Sequence, residues 1–120
     1  MGDSWLEVAF NEGAMLTPEN ERRSENLERS PRFQLGQVVA TPGALDALER
    51  AGTTPLRLLG RHESGDWGDL SDDDIAENEF SLKEGFRLLS VYKLPDTDEK
   101  IWIITEADRS VTTLLLPDEY

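Results

Sequence analysis

The hydrophobic pattern of this chain changes period at Gly85, which restricts it to folds in which helices precede a run of strands. Before Gly85, Ala44, Leu45, Ala47, Leu48 and Ala51 recur at the three- and four-residue spacing that lines one helix face. After it, the segments 86–94 (FRLLSVYKL), 101–105 (IWIIT) and 111–116 (VTTLLL) are short, apolar and separated by polar turn residues. A helix-period segment cannot present a continuous apolar face as a strand, nor the reverse. The expected class is therefore α+β.

Local signals place the elements. Segment 33–40 contains Val38 and Val39 and reads as a short strand. Thr41-Pro42 and Thr54-Pro55 each pair an N-cap with a proline suited to the first helical position. The first helix stops at Gly52. The second carries Leu56, Leu58, Leu59 and His62 and ends before Gly65. Residues 65–70 form a loop. Ser71 with Asp74 opens a third helix as a capping box. Its expected apolar face holds Ile75, Ala76, Phe80 and Leu82, and Gly85 ends it. Residues 95–99 and 107–110 are turns, and Pro117 ends the last strand. Strands this close in sequence imply an antiparallel meander, since parallel pairing needs a long crossover. Adding Val38 and Val39 gives four strands with about three short helices on one face.

At 120 residues the chain is long enough for one domain. Residues 33–120 are expected to form it. Residues 1–32 are expected to be a flexible segment, because 11–32 offer only Met15, Leu16 and Leu27 as large apolar groups. Trp5, Leu6, Val8 and Phe10 form a short apolar anchor for the core or a partner, or else a frayed terminus. Cysteine is absent, which excludes disulfides, thiolate metal sites and cysteine nucleophiles. No apolar run approaches a membrane span, and Asp3 and Glu7 do not suit a secretory signal. The expected compartment is the cytoplasm. Phosphate-binding glycine loops, zinc-protease helices and serine-hydrolase elbows are all missing, and no cofactor is implied.

Charge is the chain's most unusual property. The formal net charge is −13, from 25 acidic and 12 basic residues. Such a chain repels nucleic acid and anionic membranes and attracts basic proteins. Glu63, Asp66, Asp69, Asp72, Asp73, Asp74, Glu77, Glu79 and Glu84 fall within residues 62–84, where Lys83 is the sole Lys or Arg. A row of carboxylates can imitate phosphate spacing and occupy the DNA-binding groove of a basic partner. On that reading Asp66, Trp67, Asp69, Asp72, Asp73, Asp74, Glu77 and Glu79 form the docking surface. Hard cations also prefer carboxylate oxygen, although the EF-hand spacing is absent. A third possibility is a solvated helix start, where Asp72–Asp74 suit the macrodipole.

His62 is the chain's lone histidine. With Asp66 and Asp69 behind it, it has the chemistry of a general base or metal ligand. Asp108 and Arg109 would complete a small hydrolytic or metal-dependent site. Against this stands a histidine that caps the second helix at the surface. Trp67, between two glycines, is expected to anchor its loop to the core, or to act as an interface hot spot. Trp102 belongs to the sheet core or the second sheet face. The turn at 107–110 is expected to be held by an Asp108–Arg109 pair and by side-chain-to-backbone hydrogen bonds.

The segments 35–48 (LGQVVATPGALDAL), 62–70 (HESGDWGDL), 82–92 (LKEGFRLLSVY) and 100–117 (KIWIITEADRSVTTLLLP) together resemble a family of small bacterial proteins carried on plasmids and integrative elements. The resemblance covers about residues 33–120. It implies a mobile-element setting and supplies neither an activity nor catalytic residues. A methylase role sometimes attached to such proteins conflicts with the missing cofactor-binding glycine loop.

Overall fold

Three side chains set the helix starts. Thr41 Oγ1 accepts from Ala44 N at 3.0 Å, Thr54 Oγ1 from Arg57 N at 3.3 Å and Ser71 Oγ from Asp74 N at 3.1 Å. Each satisfies one of the orphan donors of a first turn. The computed structural model of the protein describes Leu6, Glu7 and residues 30–120. In chain order the elements are β1 (Leu6–Glu7), β2 (Gln37–Ala40), α1 (Pro42–Arg50), α2 (Pro55–Glu63), α3 (Asp72–Glu84), β3 (Leu88–Lys93), β4 (Lys100–Thr105) and β5 (Val111–Leu115). A 3₁₀ turn, Pro117–Glu119, follows. Gly85 ends α3 in the left-handed region with φ 85°. The α+β class holds.

The sheet order is β1-β2-β5-β4-β3. β3, β4 and β5 form the expected antiparallel meander. β2 departs from it: Gln37 to Ala40 run parallel to Val111 to Leu114. The sheet is mixed because the chain between Ala40 and Val111 holds three helices and a hairpin, ample length for a crossover. β1 adds two antiparallel pairs, Leu6 with Ala40 and Glu7 with Val39. The expected flexibility of residues 1–32 falls, apart from Leu6, Glu7 and residues 30–32, outside the described residues, as do the anchor residues Trp5, Val8 and Phe10. Within the described residues, the Arg32 amide donates to Glu63 O at 2.7 Å.

α1 and α2 cover one sheet face. Ala44, Ala47, Leu48, Leu58 and Leu59 pack against Val38, Ala40, Tyr92, Ile101, Ile103 and Leu114. Trp102 points to the other face, where its ring lies 5.5 Å from that of Tyr120.

α3 does not join the helix face. It runs along the free edge of β3, and its buried residues are Asn78 and Ser81, not the expected Ala76 and Phe80, which are exposed. The Asn78 amide donates to Leu89 O at 2.6 Å and accepts from Leu89 N at 3.1 Å, as a neighbouring strand would. Beyond it, Trp67 O accepts from Val91 N and Asp69 N donates to Val91 O. The outward groups of Leu89 and Val91 on this edge strand are thereby closed to pairing with another chain. Gly68 is required there: a Cβ would stand 2.0 Å from Val91 O. Among the described residues, no helix is long and apolar enough to cross a membrane.

Candidate functional site

His62 sits in the last turn of α2, but with no exposed surface. It is a core residue, not a surface cap, because α2 turns this position onto the sheet. Its Nδ1 lies 2.6 Å from Ser90 Oγ and its Nε2 2.9 Å from Thr105 Oγ1. Thr105 Oγ1 lies 2.7 Å from Thr112 Oγ1, which donates to Leu35 O at 2.7 Å. A hydroxyl has one proton, so this chain has a single direction. Thr112 gives its proton to Leu35 and must accept from Thr105. Thr105 must then accept from Nε2–H, which leaves Nδ1 bare to receive the Ser90 proton.

Aromatic rings and one cation close the remaining sides. Phe33 meets His62 edge-on at 5.1 Å and stacks on Trp67 at 6.2 Å, and Trp67 meets His62 at 5.8 Å. Burial, followed by the nearby Arg109 charge, lowers the His62 pKa to about 3. The imidazole is therefore neutral at ordinary pH, and both its nitrogens are occupied. The sequence around His62 does not point to its partners Ser90 and Thr105, nor to Thr112 beyond them. Their signal was a polar residue at a core-facing position of each successive strand.

The acidic segment divides into two groups. Glu79 receives Arg32 bidentately, at 2.9 and 3.1 Å, and the Trp67 indole N–H at 2.9 Å. Arg32 first and Trp67 second hold the Glu79 carboxyl below the usual carboxylate range. Asp66 accepts from Arg61 Nε at 2.7 Å. Asp69 lies 3.5 Å from Lys100 and 4.0 Å from Lys93. Trp67 itself is buried at 3% exposure, so it anchors the loop and offers no docking surface. Burial raises the Glu63 pKa. By contrast Asp72, Asp73, Asp74 and Glu77, on the first half of α3, are exposed and form no ion pair among the described residues.

Asp108 and Arg109 occupy the β4–β5 turn and do not pair. Asp108 Oδ1 accepts from Ser110 N and Ser110 Oγ at 3.0 and 2.6 Å, the hydroxyl being the main reason its pKa is lowered. Arg109, at φ 62°, donates to the carbonyls of Phe86, Glu106, Ala107 and Ser81. It ties the turn to the end of α3. Of the proposed catalytic set, then, His62 is sealed in the core, Asp66 and Asp69 stand in surface ion pairs, and Asp108 and Arg109 brace a turn. Among the described residues no three carboxylate or imidazole groups converge to hold a metal ion. No family model, curated protein or solved structure matches this chain.

Proposed function

We propose that this protein is a non-enzymatic accessory protein of a mobile genetic element, acting in the cytoplasm by docking on a basic or nucleic-acid-binding protein. The docking groups are Asp72, Asp73, Asp74 and Glu77, which present charge in the manner of a DNA backbone. The observation that carries this reading is their exposure without ion pairs among the described residues, on a segment in which Asp66, Asp69 and Glu79 have cationic partners. Unneutralised charge is what competition for a basic groove requires. The mobile-element setting rests on the sequence resemblance. The alternative of a hydrolytic or metal-dependent enzyme loses support from His62, whose ring has neither an open nitrogen nor exposed surface.

The test is affinity capture from a bacterial host with wild type and with the D72N/D73N/D74N/E77Q variant. A basic protein held by wild type, released by salt or by competing duplex DNA, and lost with the variant is expected. Equal capture by both forms, or capture indifferent to salt, would refute the reading.

A further inference from the structure

The outward face of α3 carries a phenylalanine where a solvent-facing helix position calls for a polar residue. Ile75, Asn78 and Leu82 are the buried or half-buried side of α3. Phe80 lies opposite them and is 52% exposed. Phe86, just past the Gly85 turn, is also 52% exposed, and the two rings stack at 5.9 Å with 25° between their planes. An exposed aromatic pair on a chain this small is a candidate contact site.

Its surroundings state what would cover it. Asp73, Glu77, Phe80 and Glu84 follow i, i+4, i+7, i+11 spacing and so share one stripe of the helix. All three carboxylates of the stripe are exposed and without an ion pair among the described residues. Lys83 and Arg87, the latter paired with Glu106, also adjoin the rings, but the stripe itself joins an apolar centre to three carboxylates and so is complementary to a cationic segment with an apolar centre. It is poorly complementary to a second copy of a chain of net charge −13. Arginine fits better than lysine, since its guanidinium stacks on an aromatic face while bonding a carboxylate.

We infer that Phe80 and Phe86 are the aromatic anchor of the docking surface, and that the partner presents an arginine-bearing amphipathic segment to the stripe Asp73–Glu77–Phe80–Glu84. The inference rests on the acidic-surface reading above and adds to it the anchor and the chemistry of the partner. Long-range charge sets the rate of encounter, and the rings select a segment that brings arginine and apolar groups together.

The test uses the full chain and two synthetic peptides of equal positive charge. One is an amphipathic helix of arginine and leucine, and the other is lysine-based without apolar residues. Wild type is expected to bind the arginine–leucine peptide about tenfold more tightly. F80A/F86A should reduce that peptide to the affinity of the lysine peptide and leave the lysine peptide unchanged. D72N/D73N/D74N/E77Q should weaken both. In wild type, the largest amide shifts on adding the arginine–leucine peptide should fall on Phe80, Phe86, Glu77 and Glu84, a readout that needs no variant to fold. Unchanged affinity in F80A/F86A, or shifts centred elsewhere, overturns the anchor and leaves the acidic surface standing. Unchanged affinity in the charge variant, or no binding of either peptide, overturns both. A dimer abolished by F80A/F86A, or nuclear Overhauser contacts from the two rings to another segment of the same chain, would assign a different occupant and also overturn the inference.

Discussion

Ser90 donates its hydroxyl proton to His62 Nδ1 across 2.6 Å, and the far nitrogen of the same ring, 2.9 Å from Thr105 Oγ1, must therefore keep its own. The pair is buried and sits at the head of a chain of hydroxyls that ends on the Leu35 carbonyl. A protonated ring would have to donate at both nitrogens, against the direction of the Ser90 bond.

Acid should therefore unfold this domain through His62. Its pKa is about 3 when folded against an ordinary 6.5 for histidine, so the unfolded chain binds the proton first. The stabilisation is complete above the unfolded value and is lost as pH falls from there toward 3. Stability at about pH 4.5 should be lower than at about pH 7 by up to ~3 kcal/mol. Glu63, whose pKa is raised by burial, works in the opposite direction, its stabilisation being present below the ordinary carboxylate value and lost as pH rises from there through its raised folded value. Urea unfolding midpoints across this range test the expectation, and a flat profile down to about pH 5 contradicts it. Nitrogen-15 shifts of the ring should show a proton on Nε2 alone.

Asn78→Ala removes both bonds to the Leu89 backbone and should cost about 2–3 kcal/mol. Asn78→Asp keeps an acceptor for Leu89 N but sets a carboxylate oxygen against Leu89 O. It should be at least as damaging. Faster amide exchange at Leu89 in both variants would locate the loss at the β3 edge, and protection equal to wild type would show that the edge does not depend on this amide.

Two glycines should respond with opposite sign. Gly68→Ala places a methyl 2.0 Å from Val91 O at φ +83°, and it should destabilise by about 1–3 kcal/mol or more. Gly60, inside α2, has nothing within 4 Å of an added Cβ. Gly60→Ala should stabilise by about 0.5–1 kcal/mol. Thermal melts of the two variants decide it, and a Gly68→Ala protein as stable as wild type would rule out the tight approach to β3.

Charge removal should separate binding from folding. Neutral amides at Asp72, Asp73 and Glu77 should slow association with a basic partner more than they speed dissociation. Loss of the contacts of Asp72 and Asp73, in the first turn, with the helix dipole should cost only about 0.3–1 kcal/mol each. Glu79→Gln should do the reverse, weakening the fold by loosening Arg32 and Trp67 and leaving association rates nearly unchanged. Stopped-flow association at several salt concentrations, beside melts of each variant, would expose either assignment as mistaken.

Much of this architecture was legible locally. Thr41, Thr54 and Ser71 as caps, Pro42 and Pro55 in first turns and Gly85 at a helix end all follow from bonds made within a few residues. The hairpins of β3, β4 and β5 follow from short connections. Such signals operate wherever the partner group lies a few positions along the chain.

Contacts between distant segments were not legible in this way. Whether β2 runs parallel or antiparallel depends on which edge of β5 it reaches after a long crossover. Asn78 faces inward and Phe80 outward because α3 lies on an open strand edge, where a side-chain amide is more useful than a ring. His62, its partners Ser90 and Thr105, and Thr112 beyond them come from α2, β3, β4 and β5, so only the assembled sheet brings them together. Local rules settle backbone hydrogen bonds one turn at a time, whereas burial and polar satisfaction belong to the whole set of surfaces that meet in the fold.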